Sequence, residues 1–304
     1  MSNIFFNNEN IINYFFVKKK KIIISVTVLT LLASIFFSGP TFITPLYKSS
    51  AILYPSNLYK FSDENETEQM LQFLRSDEII NRLIKDFNLY KVYNINPNRQ
   101  HALTDVKRKL KSNLSISKSQ YEGVDIKVYD ASPQRAKTML DSVISYYNQL
   151  VKQQYDVKYK EIMQASSLQM NRLWKQIDSL QNNTRKIRLQ KKVINADKQS
   201  RELVPLLLKD SSSVLYRNFL ESKEKLAIMD SVLFGLNNLY INEKTKYENA
   251  FREYRKNIKY YIMVSPPQVP DKKAYPIRWL IVLFSLLGAY TITFITFAII
   301  ENKK

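Results

Sequence analysis

The chain has 304 residues, a net charge of +19, no cysteine, one histidine and four glycines. The missing cysteines exclude thiolate chemistry and a disulfide framework, and the lone His101 excludes a multi-histidine metal site. Gly39, Gly123, Gly235 and Gly288 are too dispersed for a phosphate-binding loop or a dinucleotide fingerprint, so no catalytic residue, metal or other cofactor is expected.

Residues 1–21 carry Phe5, Phe6, Tyr14, Phe15 and Phe16, an aromatic set suited to an interfacial helix, and end in Lys18, Lys19, Lys20 and Lys21. The apolar run 22–47 follows. Together with a second run at 277–300 it reaches the roughly 20 residues that a bilayer core of about 30 Å requires. The lysines before the first run and Lys303 and Lys304 after the second place both termini in the cytoplasm and the intervening part outside. A cleaved signal peptide is the competing reading of the first run, but its far end, Phe37-Ser38-Gly39-Pro40, lacks a small-x-small site, which favours an uncleaved anchor. Roughly +15 of the charge falls on the extracytoplasmic part. Nucleic acid is not expected there, which leaves lipid headgroups, lipid-linked phosphates, acidic glycans or simple solvation of a basic surface.

The spacing predicts a membrane-proximal α+β base over 48–132. Ser50 to Tyr54 reads as a strand ended by Pro55. A first helix carries Asp63, Glu64, Glu66 and Glu68 in its opening turns and Met70, Leu71, Phe73 and Leu74 behind them. Those acids form one face and are read as capping groups, because a glycosidase pair needs two carboxylates in opposing environments. A second helix opens at Ser76 with Ile79, Ile80, Leu83, Ile84 and Phe87 at helical spacing, and a third covers Leu103 to Leu110, with His101 a surface residue at its start. Leu114 and Ile116, a turn at Glu122-Gly123, and Val124, Ile126 and Val128 mark a hairpin.

Residues 133–257 read as a helical arm and its return. Ser132-Pro133 opens a helix that runs to about Ile194, with Leu173, Ile177, Leu180 and Ile187 on a heptad seam broken at Thr184. Residues 201–213, with Pro205 and three serines, read as a reversal. The return helix carries Phe219, Leu226, Leu233, Tyr240, Tyr247 and Tyr254 seven apart, a packing seam in which Ser222, Met229, Leu236, Glu243 and Ala250 are the offset partners. Gly235 lies within it and weakens the helix by about 1 kcal/mol relative to Ala. Ile258, Tyr260, Ile262 and Val264 then alternate as a returning strand. The rest of 258–276 is a connector whose prolines, Pro266, Pro267, Pro270 and Pro276, exclude helix and sheet.

That connector, the two spans, Ala51-Ile52-Leu53-Tyr54-Pro55 and Asp130-Ala131-Ser132-Pro133-Gln134-Arg135-Ala136 together resemble the Wzz-type chain-length determinants, polysaccharide co-polymerases of bacterial inner membranes. The likeness runs from Lys18 to Ile300 and is most specific from Pro266 through Gly288. It implies a mixed α+β base, a long helical, coiled-coil-like arm, a homo-oligomeric ring, and a Wzy-like membrane polymerase as partner. The oligomer would regulate the chain length of a lipid-linked O-antigen or capsule polysaccharide. Ser285, Gly288 and Ala289 are candidates for contact between spans, either within the chain or with the polymerase. Only residues 301–304 follow the second span, so the kinase domain of some relatives, or kinase activation through their cytoplasmic tail, is not expected. A periplasmic adaptor coupling a polysaccharide exporter to an outer-membrane channel is the rival reading. A two-span sensor lacks room for an output module.

Overall fold

The computed structural model describes residues 20–59, 63–193, 196–207 and 214–302. The chain divides into two compact units, Met1–Gln149 with Lys259–Lys304, and Leu150–Ile258. The aromatic residues expected to form an interfacial helix lie outside the described residues.

In the first unit, α1 (Lys20–Phe37) is the first apolar helix. It is shorter than the run 22–47: Pro40 lacks an N–H and cannot continue a helix, so the chain turns at Gly39, whose carbonyl accepts from the N–H groups of Phe42 and Ile43. A strand, β1 (Leu46–Pro55), starts where the span was expected to end. Next come α2 (Glu66–Leu74), α3 (Asp77–Asp86), the single turn α4 (Leu89–Val92), α5 (Ala102–Asn113), and the strands β2 (Leu114–Lys118) and β3 (Val124–Asp130). Asn65 caps α2 in a reciprocal box with Glu68, so Asp63 and Glu64 precede the helix rather than opening it. Ser76 occupies the N-cap of α3 without donating or accepting a side-chain cap bond.

The long helix α6 (Pro133–Lys191) begins in the first unit and continues into the second. After the second unit the chain returns as β4 (Tyr261–Ser265) and β5 (Lys273–Tyr275), and α9 (Arg278–Asn302) is the second apolar helix. The sheet order is β2-β3-β1-β4, with β5 also on β1, and every described pairing is antiparallel. The returning strand thus pairs with β1. The connector was expected to exclude sheet, yet β5 forms within it, because residues 273–275 fall between Pro270 and Pro276 and retain their N–H groups.

Alternation places Ser49, Ala51 and Leu53 of β1 and Val124, Ile126 and Val128 of β3 on a buried face. The helices bring Met70, Leu74, Ile79, Leu83, Leu89, Val106, Leu110, Met139, Leu140 and Val143 to that core, all at 0–1% exposure. At the hairpin turn Glu122 takes the left-handed conformation (φ 61°). Gly123 is needed there for closeness: a Cβ would lie 3.2 Å from the carbonyl oxygen of Leu53.

The second unit comprises the rest of α6, α7 (Ala196–Leu207) and α8 (Val214–Arg255). Residues 201–207 are helical rather than a reversal, with Pro205 inside α7; nothing in the structure explains how the helix tolerates it. Leu173, Ile177 and Thr184 of α6 and Phe219, Ser222, Leu226 and Ala250 of α8 are buried, and Leu233, Tyr240, Tyr247 and Tyr254 are half-buried. Thr184, the polar residue in the seam, is accommodated because its hydroxyl donates to the Leu180 carbonyl at 2.8 Å. Val193, Phe219 and Leu226 form one apolar cluster, with Ile187 against it. Gly235 is exposed, and a Cβ there would meet nothing within 4 Å.

Candidate functional site: the corner, the connector and the paired spans

Asp130-Ala131-Ser132-Pro133-Gln134-Arg135 forms the corner between β3 and α6. The Asp130 carboxylate, 2% exposed, accepts the Ser132 N–H at 2.8 Å and the Arg135 guanidinium at 2.7 Å. The Ser132 hydroxyl in turn accepts the Arg135 N–H at 3.4 Å, and Pro133 begins the helix where its missing N–H costs nothing. The motif is therefore a folding corner that aims α6. Its charged residues neutralise each other, which the sequence alone did not reveal.

Farther along α6, Tyr147 and Asn148 hold the returning chain at one residue. The buried Tyr147 hydroxyl donates to the Tyr260 carbonyl at 3.1 Å, and Asn148 accepts the Tyr260 N–H at 2.9 Å. Tyr146 donates to Asp86 at 2.5 Å; burial, then that bond, raises its pKa. On the half-exposed face of the sheet, the hydrogen bond from Lys127 to Asp125 raises the lysine's pKa.

The connector follows β1. Ser49, 1% exposed, donates to the carbonyl of Gln268 at 2.9 Å. Pro267 and Pro276 are buried, Pro270 is half-buried and Pro266 is exposed. Leu46 pairs with Tyr275 and Tyr47 with Lys273. Strand β5 hands the chain to α9 within three residues, so both apolar helices are tied to the first residues of one strand.

The two apolar helices pack together. Thr27 donates to the Ile23 carbonyl at 2.8 Å, which leaves its oxygen to accept the Tyr290 hydroxyl, also at 2.8 Å. Of the candidate contact residues, Ser285 is half-buried and donates to the Ile281 and Val282 carbonyls of its own helix. Gly288 and Ala289 are half-buried, and a Cβ on Gly288 would meet nothing within 4 Å. The pairing within the chain includes the hydrogen bond between Thr27 and Tyr290, neither of which was a candidate contact residue.

The remaining recesses are open. Leu74, Arg75, Ile80, Lys111, Leu114 and Ile116 line about 270 Å³ in the first unit, where Arg75 donates to the Ile116 carbonyl at 2.6 Å. In the second unit a groove of about 420 Å³ passes Thr184, Arg185, Arg188 and Leu233, with Arg188 bound by both oxygens of Asp230. The Lys246 ion pair, at 2.7 Å, holds the Glu243 carboxyl below the usual range. Among the described residues no group of three or more His, Cys, Asp or Glu is placed to hold a metal. His101 is exposed at the N-cap of α5.

The first and last strands of the α+β unit adjoin a pair of helices, each long and apolar enough to cross a membrane. Residues 12–122, from before α1 to the end of the hairpin turn, match the model of the Wzz family, "Chain length determinant protein". This is the family read from the sequence. The matched residues, however, lie in the first part of the chain rather than at Pro266 to Gly288.

Among solved structures, the chain is similar to a full-length bacterial polysaccharide co-polymerase, at 12% identity over 94% of this chain and 96% of that one, with a TM-score of 0.48. It is also similar to a fragment of WzzB, a polysaccharide co-polymerase from Salmonella Typhimurium (13% identity, 76% and 100% covered, TM-score 0.33). A third is the wild-type Shigella flexneri lipopolysaccharide O-antigen chain-length regulator (12% identity, 74% and 99% covered, TM-score 0.30). No curated protein matches the chain.

Proposed function

We propose that this protein is a polysaccharide co-polymerase of the bacterial inner membrane. It regulates the chain length of a lipid-linked surface polysaccharide by scaffolding a membrane polymerase as a homo-oligomer, with both termini cytoplasmic and the two folded units periplasmic. The observation that carries the reading is the Wzz match over residues 12–122, which takes in the first apolar helix and the base as far as the hairpin turn. The fold supports it, because both apolar helices attach to one end of one sheet.

In this reading Pro266, Pro267, Pro270 and Pro276 fix the course of the chain between β4 and α9. Ser285, Gly288 and Ala289 present a narrow strip to a helix of the polymerase, and the seam from Phe219 to Tyr254 stiffens the helical unit. Deleting the gene and separating surface polysaccharide on a gel tests the proposal. Loss of the modal length with glycan still at the surface is the expected result, and restoring the gene restores the mode. Complete loss of surface glycan would overturn it in favour of an export adaptor.

A further inference from the structure

We propose that the end of the span pair nearest the base is a headgroup-binding collar. Phe36, Phe37, Phe42, Tyr275 and Trp279 sit at the interface of the adjoining leaflet, and Lys272, Lys273 and Arg278 hold the phosphates of its anionic phospholipids.

The bond between Thr27 and Tyr290 fixes the register of the two apolar helices. Phe37 lies ten residues beyond Thr27, and Trp279 lies eleven residues before Tyr290. At 1.5 Å per residue these are about 15 and 16 Å, half of a core roughly 30 Å thick. The aromatic ends of both helices therefore stand at one level, toward the base.

The side chains fit that level. Phe36, Phe37 and Phe42 touch one another with ring centroids 5.1–5.6 Å apart, yet remain 66%, 57% and 54% exposed. Helix α1, with 18 residues, spans only about 27 Å. The turn at Gly39 folds Phe42 back onto the helix end, adding apolar surface where the helix is short. Trp279 is 67% exposed and Tyr275 48%, with the amphipathic rings favoured at headgroup depth.

Charge selects the lipid. Lys272, Lys273 and Arg278 are all exposed, and among the described residues none has a carboxylate partner. They outnumber Lys303 and Lys304 beyond α9, so they oppose the orientation favoured by the lysines before α1. Anionic headgroups supply the compensation that the protein does not.

The chain has two tryptophans, so Trp174→Phe leaves Trp279 as the only indole. The full chain is reconstituted in phosphatidylcholine vesicles containing brominated lipids. Expected is at least about twofold stronger quenching by bromines high on the acyl chain than by bromines near its end. Brominated phosphatidylglycerol should quench Trp279 with about threefold preference over brominated phosphatidylcholine, and added salt should reduce that preference. Adding Lys272→Gln, Lys273→Gln and Arg278→Gln should remove the preference and leave the depth profile. Deep quenching, absence of quenching because a protein covers the collar, equal quenching by the two lipids, or a preference that survives salt or the triple substitution would each overturn the proposal.

Discussion

The corner at Asp130 makes a quantitative prediction. Asp130→Ala removes the acceptor of the Ser132 N–H and the partner of Arg135 in one step. A hydrogen bond to a charged group contributes about 1.5–3 kcal/mol. The stranded arginine adds little, because its side chain is 31% exposed and turns toward water. The opening of the first turn of α6 should therefore become easier by about 2–3 kcal/mol, which corresponds to roughly 30- to 150-fold faster amide exchange in a segment that opens locally.

Arg135→Ala is the informative contrast. It strands a carboxylate that is only 2% exposed, and removing one partner of a buried pair costs about 3–5 kcal/mol. Asp130→Asn retains an acceptor for Ser132 and should cost about 1 kcal/mol. Hydrogen exchange followed by mass spectrometry on peptides covering residues 124–145 of the full chain in detergent measures all three. The expected order of acceleration is Arg135→Ala, Asp130→Ala, Asp130→Asn. Exchange within twofold of the parent in both alanine variants, or acceleration spread evenly along the chain, would refute the assignment of the motif as a folding corner.

Tyr147→Phe deletes the hydroxyl bonded to the Tyr260 carbonyl, but that carbonyl still accepts the Ser56 N–H at 3.3 Å, so the loss should be about 1 kcal/mol and appear as faster exchange around residues 258–265. Leu226→Ala opens the small cluster with Val193 and Phe219. It should destabilise the second unit by about 2–3 kcal/mol, the lower part of the range for buried leucines, seen as a lower helical melting temperature by circular dichroism. Glu243, whose pKa is lowered on folding, adds stability above its unfolded value of about 4.3 that is lost as pH falls through the folded value. Lys127, whose pKa is raised, adds stability below about 10.4 that is lost as pH rises through the folded value. Melting curves of Glu243→Gln and Lys127→Met should converge on the parent's at acid and alkaline pH respectively.

Patterns repeated along one element were legible in the sequence. The alternation from Val124 to Val128 and the helical spacing from Ile79 to Ile84 are each set by which face meets the core, and the lengths of the apolar helices show as unbroken apolar runs. Features made by two distant segments were not. The start of β1 at Leu46 was hidden because Leu46 and Tyr47 extend the apolar run of α1, and only Pro40 signals the break between them. The strand at 273–275 was masked by its prolines, although three consecutive residues with N–H groups suffice for a short pairing. Asn88, left-handed with φ 47°, starts a single turn that has no periodicity to detect. Asp130 and Arg135 carried a readable signal: an acid two residues before the N-cap and a base three after it can meet across the corner.

The central strand gathers the connections of the first unit. On one side β1 pairs with β3, which leads through the Asp130 corner into α6; on the other it pairs with β4 and β5, which lead into α9. Its own beginning continues from α1. A shift of either span thus reaches the Leu46–Tyr275 and Tyr47–Lys273 pairs directly, and the corner lies opposite at Tyr47–Asp130. Residue Tyr47 belongs to both sets. Strand register and close packing at Tyr47 therefore join the start of β1, the corner and the strand before α9 in one set of contacts.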